Sequence, residues 1–197
     1  MSVADPVILP TGIAASRKDV AALLDLARRD SDLLVHGLKV GKLAERIAIA
    51  LGLAERHAAR IRLAGVLHDI GKLAVPHALL TKPGPLTEAE RHVIERHPSI
   101  GAAIVQLAGL PREARWIRHH HERMDGRGYP DGLLAYEIPL PSRIILAADA
   151  FDALTSDRPY RSARTREAAL AELAAHSGGQ FDPACIAGLI QLVGHDY

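Results

Sequence analysis

Between one glycine or proline cluster and the next, the apolar residues of this chain recur every three to four positions. The pattern is clearest at Leu33, His36, Val40, Leu43 and Ile47, on one face of a helix opened at Ser31 and ended at Gly52. Val-rich strand alternation is absent, so the sequence predicts an all-α fold, and its heavy load of Ala and Leu agrees. The same spacing predicts helices over 18–29, from Glu55 to about Asp69, and from Ser99 to Leu107. Thr87-Glu88-Ala89-Glu90 has the form of a capping box, opening a helix that runs to about His97, before Pro98. Pro111 starts a helix that carries Trp116, Ile117, His120 and His121. Pro141 starts another, with Ile145, Asp149 and Asp152 on one stripe. Thr165 to His176 is helical, and Asp182-Pro183 opens the last helix as cap and first residue. Lys82-Pro83-Gly84-Pro85 and the segment Asp125 to Gly132 read as loops.

The chain has 197 residues, which predicts one domain over 18–197 preceded by a tail or linker stub over 1–17. Lys and Arg number 24 against 23 Asp and Glu, a balance of +1 that excludes a nucleic-acid polymer binder held by bulk charge. Cys185 is the one cysteine, so neither an internal disulfide nor a thiolate metal cage is available. No apolar run approaches the ~18 residues needed to span a bilayer, and no signal peptide is recognisable at the N-terminus. The expected location is cytoplasmic, with no membrane association.

The 11 histidines require a reason. His68 and Asp69 are adjacent at a predicted helix end, His120 and His121 are adjacent within a run of three with His119, and His97 precedes a proline. His36 and Asp149 fall on apolar helix faces. An unpaired buried carboxylate costs several kcal/mol, so Asp149 needs a partner or a cation. Imidazole nitrogens with carboxylate oxygens suit Mn, Fe, Zn or Co. So many ligands fit two ions sharing a carboxylate, the usual device for phosphoester hydrolysis. A single His on an apolar face is more often a satisfied core residue, and His68-Asp69 alone could be a helix-end hydrogen bond. It is the joint pattern that packing does not explain. His57, His77, His92, His176 and His195 lack such company and read as surface or structural. Periodicity leaves open which two of His119, His120 and His121 point inward.

His68-Asp69-Ile70-Gly71-Lys72 resembles the signature of the HD superfamily of metal-dependent phosphohydrolases. The run from His120 to Pro130, ending in Gly128-Tyr129-Pro130, is similar to the HD-GYP subfamily. Lys82-Pro83-Gly84, Ile138-Pro139 and the stretch Asp149 to Arg161 agree in order, so the resemblance runs from about Asp32 to Asp182. It implies a helical bundle of the HD phosphohydrolase type with a GYP loop and C-terminal helices. It also implies a phosphodiesterase that cleaves cyclic di-GMP to pGpG or GMP with a metal-activated hydroxide. The metal ligands carried over are His36, His68, Asp69, His97, His120, His121 and Asp149, with Asp69 bridging two ions, iron or manganese. His119 is then the odd one out. Asp32, four residues before His36, stands where some members hold a third ion. A carboxylate at a helix N-terminus is its other reading. Lys72 is expected beside the scissile phosphate as a fixed positive charge, or else complements a helix C-terminus.

Tyr129, Arg158, Arg161 and Asp152 are the implied substrate contacts, Asp152 also as a residue that orients a ligand histidine. Gly126 and Gly128 would let the loop backbone come close to ligand. Arg143 reads as a structural ion-pair partner. One segment departs from the family pattern, with Ala135 and Tyr136 where a glycine and an acidic residue are usual. If that glycine needs positive φ, the loop must be remodelled. The expected partners are cyclic di-GMP, diguanylate cyclase (GGDEF) domains and an upstream sensor or receiver domain. Two other readings stand beside this one: a regulatory interaction module of the same fold, and a hydrolase of another cyclic dinucleotide or nucleotide.

Overall fold

A computed structural model describes residues 17–157 and 162–194. Residues 1–16 of the predicted tail, Arg158, Arg161 and His195 lie outside the described residues. Among the described residues there are ten α-helices and no strand: α1 Arg17–Ala27, α2 Ser31–Ala50, α3 Glu55–Leu67, α4 His77–Leu80, α5 Glu88–Ile94, α6 His97–Leu107, α7 Pro111–Arg118, α8 Leu140–Thr155, α9 Arg166–Ala175 and α10 Pro183–Gly194. None of these is long and apolar enough to cross a membrane.

The bundle is built around α2. Asp30 caps it, accepting hydrogen bonds from the Asp32 and Leu33 N–H groups, and Gly52 ends it in the left-handed region at φ +79°. Its inward face carries Val40, Ala44 and Ile47, fully buried against Ile61 and Leu67 of α3 and Leu189 of α10. Burying each Ile or Leu contributes about 1.5–3 kcal/mol.

The α2–α3 contact is closer than side chains would permit. A Cβ on Gly37 would lie 2.4 Å from the Val66 carbonyl oxygen, and one on Gly65 would lie 2.8 Å from the Gly41 Cα. Helix α7 is fixed to α3 by Glu113, which is fully buried and takes two hydrogen bonds from Arg60, at 2.6 and 3.0 Å.

Three predicted boundaries differ. The helix opened by Thr87 ends at Ile94, and His97 begins α6 instead of ending α5. Pro98 sits in the first turn of α6, where its missing N–H costs nothing. Helix α7 stops at Arg118, so His120 and His121 follow it in a turn. Helix α3 stops at Leu67, and the chain tightens into a 3-10 turn over Ile70–Ala74 that the sequence reading did not anticipate. The capping box is present: Thr87 Oγ1 accepts from the Glu90 N–H, and the Glu90 carboxylate accepts from the Thr87 N–H.

Candidate metal centre

His36 comes from α2, His68 from the end of α3, Asp69 from the residue after it, His97 from the start of α6, and Asp149 from α8. The 3-10 turn after Asp69 lies flush on the start of α6. A Cβ on Gly71 would stand 2.0 Å from the His97 carbonyl oxygen and 2.7 Å from the Gly101 nitrogen. This approach brings Asp69 Oδ1 within 3.1 Å of His97 Nε2. The same carboxylate lies 3.4 Å from His68 Nε2, 3.8 Å from His36 Nε2 and 4.0 Å from His120 Nε2. Asp149 Oδ1 is 3.1 Å from His36 Nε2 and 3.9 Å from His68 Nε2.

Three of these rings share one anchor. His68 Nδ1 is 2.8 Å from the Gly65 carbonyl oxygen, His97 Nδ1 2.8 Å from that of Ile94, and His120 Nδ1 2.6 Å from that of Ile117. A carbonyl can only accept, so each Nδ1 carries the proton and each neutral ring turns a bare Nε2 inward. Those three Nε2 atoms and Asp69 Oδ1 are buried without a hydrogen-bond partner. Lone pairs on nitrogen and on a carboxylate repel when they face one another in a dry pocket, and a cation between them removes the conflict. The residues therefore fit divalent metal. Two sets of ligand atoms converge tightly enough for an ion: Asp69, His97, His120 and His121, and His36, His68 and Asp69. Asp69 belongs to both.

The electrostatics agree. Burial, then the neighbouring His121, His68 and His97, hold the His120 pKa well below its usual range, and burial pulls His121 down to about 3. Burial works to raise the Asp69 carboxyl, but the positive charge around it, the Lys72 ammonium included, outweighs that and holds its pKa well below the usual carboxylate range. Asp149 is lowered in the same way, burial being outweighed by its hydrogen bond with His36. At His36 burial opposes protonation, yet Asp149 and Asp152 lift the pKa to about 9. Asp152 accepts from His36 Nδ1 at 2.8 Å, and so orients that ring. Lys72 Nζ lies 2.6 Å from Asp69 Oδ2.

The other candidates are dispersed around this centre. His119 turns away, its Nε2 2.9 Å from Asp131 Oδ2. Asp32 is exposed in the first turn of α2, outside both metal-capable sets, and lines a cavity of about 430 Å³ with His36, Lys39, Asp152 and Asp157. Arg143 ion-pairs with Asp182, the carboxylate that caps α10 through the Ala184 N–H. Tyr129 stacks on His121, with ring centroids 4.7 Å apart. Burial, then the negative charge of Asp69, pushes its hydroxyl pKa up, so it keeps its proton.

The loop after His121 depends on a residue that sequence reasoning missed. Glu122 is buried and accepts three backbone hydrogen bonds, from Asp131, Gly132 and Leu133, at 2.7, 3.1 and 3.0 Å. Its place next to the histidine pair was the only signal. Gly128 also serves a different purpose from the one expected. A Cβ there would strike Arg123 N at 2.4 Å and Glu122 Cα at 2.5 Å, so the glycine lets the loop fold onto its own stem. The departure at Ala135 does not abolish the positive φ, because Ala135 itself adopts φ +40°.

Residues 13–185 match the family model described as HD domain. The cyclic di-GMP phosphodiesterase response regulator RpfG of Xanthomonas campestris pv. campestris is 46% identical over 156 residues, 78% of this chain and 41% of that protein. A cyclic di-GMP phosphodiesterase of Thermotoga maritima is 38% identical over 167 residues, 83% of this chain and 45% of that protein. A 3'3'-cGAMP-specific phosphodiesterase 1 of Vibrio cholerae is 46% identical over 127 residues, 64% of this chain and 30% of that protein. The chain thus spans less than half the length of these relatives. Among solved structures, an HD-GYP-type protein of Bdellovibrio bacteriovorus aligns with a TM-score of 0.68 at 21% identity, over 91% of this chain and 58% of that one. The cyclic GMP-AMP phosphodiesterase V-cGAP3 of V. cholerae aligns at 0.65 and 22%, over 90% and 47%. With His68-Asp69 and Gly128-Tyr129-Pro130 around one site in a helical bundle, the chain belongs to the HD domain family.

Proposed function

We propose that the chain hydrolyses a phosphodiester bond of a cyclic dinucleotide, cyclic di-GMP first, to pGpG or GMP. The observation that carries this reading is the set of inward Nε2 atoms and the Asp69 oxygen buried without partners, in a chain whose relatives carry phosphodiesterase names. His36, His68, Asp69, His97, His120, His121 and Asp149 would hold two divalent ions, iron or manganese, with Asp69 shared and Asp32 available to a third. Bound ions supply a water of lowered pKa and positive charge for the non-bridging phosphate oxygens.

The chain's own residues do the remainder. Lys72, held by Asp69, sets a fixed positive charge beside the scissile phosphate, where charge builds in the transition state. Asp152 keeps His36 turned inward. Tyr129 retains its proton and donates from its hydroxyl to a phosphate oxygen, while one face of its ring rests on His121. Arg158 and Arg161 are the expected second phosphate contacts. A receiver or sensor domain upstream, a diguanylate cyclase domain as partner and a cytoplasmic location belong to the same reading. The response-regulator name of one relative supports the receiver domain.

A second substrate, 3'3'-cGAMP, is favoured by relatives named for it. The test is elemental analysis of protein purified without oxygen, with products identified after incubation with cyclic di-GMP and 3'3'-cGAMP in parallel. Iron or manganese and a linear product from cyclic di-GMP are expected. His68→Ala and Asp69→Ala should lose metal and lower turnover by three orders of magnitude or more, about 4 kcal/mol of barrier. Full turnover by metal-free variants would overturn the reading.

A further inference from the structure

Tyr129 sits in a loop that Asp125 and Leu134 close with a backbone bridge, and Gly126 and Gly132, both at positive φ, flank its apex. The Tyr129 N–H reaches the His121 carbonyl at 3.3 Å, long for a backbone hydrogen bond. Glu122 holds three N–H groups of this loop, but it belongs to the loop's own stem. Asp131, two residues after Tyr129, is gripped from elsewhere. Arg118, the last residue of α7, donates from Nε to Oδ2 at 2.8 Å and from Nη2 to Oδ1 at 2.7 Å, while its Nη1 donates to Ser99 Oγ of α6 at 3.0 Å. The hydrogen bonds from Arg118 outweigh burial and lower the Asp131 pKa, so its carboxylate stays ionised and accepts from His119 Nε2 as well, at 2.9 Å. Exposed ion pairs as a rule contribute little, but a guanidinium that meets a carboxylate with both arms fixes its orientation as well as its distance.

We propose that Arg118 and Asp131 are positioning residues for Tyr129, a clasp that locates the loop relative to the two helices flanking the histidines of the centre. Ser99 lies two residues beyond His97 on α6, and Arg118 lies two residues before His120. One guanidinium thus joins α6, α7 and the loop, and the tyrosine ring is held against His121 by more than its own backbone. Arg123 and Asp125 form a similar fork, but both belong to the stem, so that pair stiffens the loop without locating it. The kinetic consequence rests on the phosphodiesterase reading, in which the Tyr129 hydroxyl meets a phosphate oxygen. The placement of the ring does not.

The experiment combines two readouts on the whole chain. In zinc-loaded protein with ring-labelled tyrosine, the Tyr129 NMR signals carry the shift that stacking on His121 imposes, zinc being diamagnetic, and their disappearance in Tyr129→Phe assigns them. Asp131→Asn keeps the shape and removes the charge, whereas Arg118→Lys keeps the charge and removes the fork. Each should move the Tyr129 signals. In the metal-loaded enzyme each should lower kcat/KM for cyclic di-GMP at least tenfold at unchanged metal content, and Asp131→Asn added to Tyr129→Phe should lower it less than a further twofold. Glu172→Gln, which removes a pair with Arg164 beside α9, should change neither readout. Melting curves establish that each variant is folded. Unmoved Tyr129 signals in both clasp variants, unchanged kcat/KM, losses that multiply in the double variant, or a fall in metal content that accounts for the loss would each overturn the clasp. A wild type that cleaves no cyclic dinucleotide overturns the phosphodiesterase reading instead, and the ring signals alone then decide.

Discussion

The imidazoles of His68, His97 and His120 hang from carbonyls three residues earlier on their own backbone, whereas the loop from Glu122 to Ile138 hangs from carboxylates. The backbone just before each ring therefore aims these three histidines, while His36 is aimed by a carboxylate, Asp152. In the loop, side chains take the place of secondary structure. Glu122 gathers three N–H groups, Asp131 takes Arg118 and His119, and Glu137 accepts from the Leu134 N–H at 2.9 Å. Damage to the centre should thus come from backbone displacement, and damage to the loop from loss of single acceptors.

The largest effect that separates the two regions is expected at Gly71. Gly71→Ala places a methyl group on the backbone of His97 and Gly101, so α6 must move. A loss of about 3 kcal/mol is expected by denaturant unfolding, with metal content falling as His97 leaves Asp69. If stability falls while metal content holds, the centre tolerates more movement than its geometry suggests. Next comes Glu122→Gln, which turns an amide N–H₂ toward a backbone donor. Hydrogen exchange at Asp131 to Leu133 should quicken, with about 1–3 kcal/mol lost and metal content retained. Loss of metal would mean that loop and centre form one unit.

A smaller effect of opposite sign is expected at Ala135. Relief of a left-handed alanine is worth about 1–2 kcal/mol, and the added freedom of glycine in the unfolded chain takes back about 0.4–1 kcal/mol. Ala135→Gly should therefore raise the unfolding free energy slightly, and a lower melting temperature would show that the strain is imaginary.

The smallest effect lies at Glu90, in the capping box of α5. The Lys82 ammonium, then the Thr87 N–H, lower its pKa from 4.5 to about 2. A depressed carboxyl stabilises the fold fully above the unfolded value and loses that contribution as the pH falls through the folded one. The stability gap between wild type and Glu90→Gln should accordingly be constant above pH 4.5 and close toward pH 2.

Much of the architecture was legible because its signals are local. Gly52, Thr87 and Asp182 each act within a few residues, and the structure uses them as a turn, a capping box and a cap. His97 was assigned to the wrong helix because Pro98 reads as a stop, although a first-turn proline is equally a start. His120 and His121 were placed on α7 because apolar periodicity runs through Ile117 without marking where the helix unwinds. Gly37, Gly41 and Gly65 drew no notice because a missing side chain signals nothing until its neighbour is known. Glu122 was passed over for a similar reason, since its three partners lie nine to eleven residues away in a loop with no period. For the candidate centre, the residue types and their pairing were visible in advance, and the shared Nδ1 anchor was not.

The glycine contact between α2 and α3 has a consequence for altering this protein. Where backbone rests on backbone, the gap between His36 and His68 has no adjustable spacer: no choice of core side chain narrows or widens it. Cation size would have to be tuned elsewhere, by rotating α8 and the Asp149 it carries. A redesign toward a larger ion should begin with that helix and leave the glycine seam untouched.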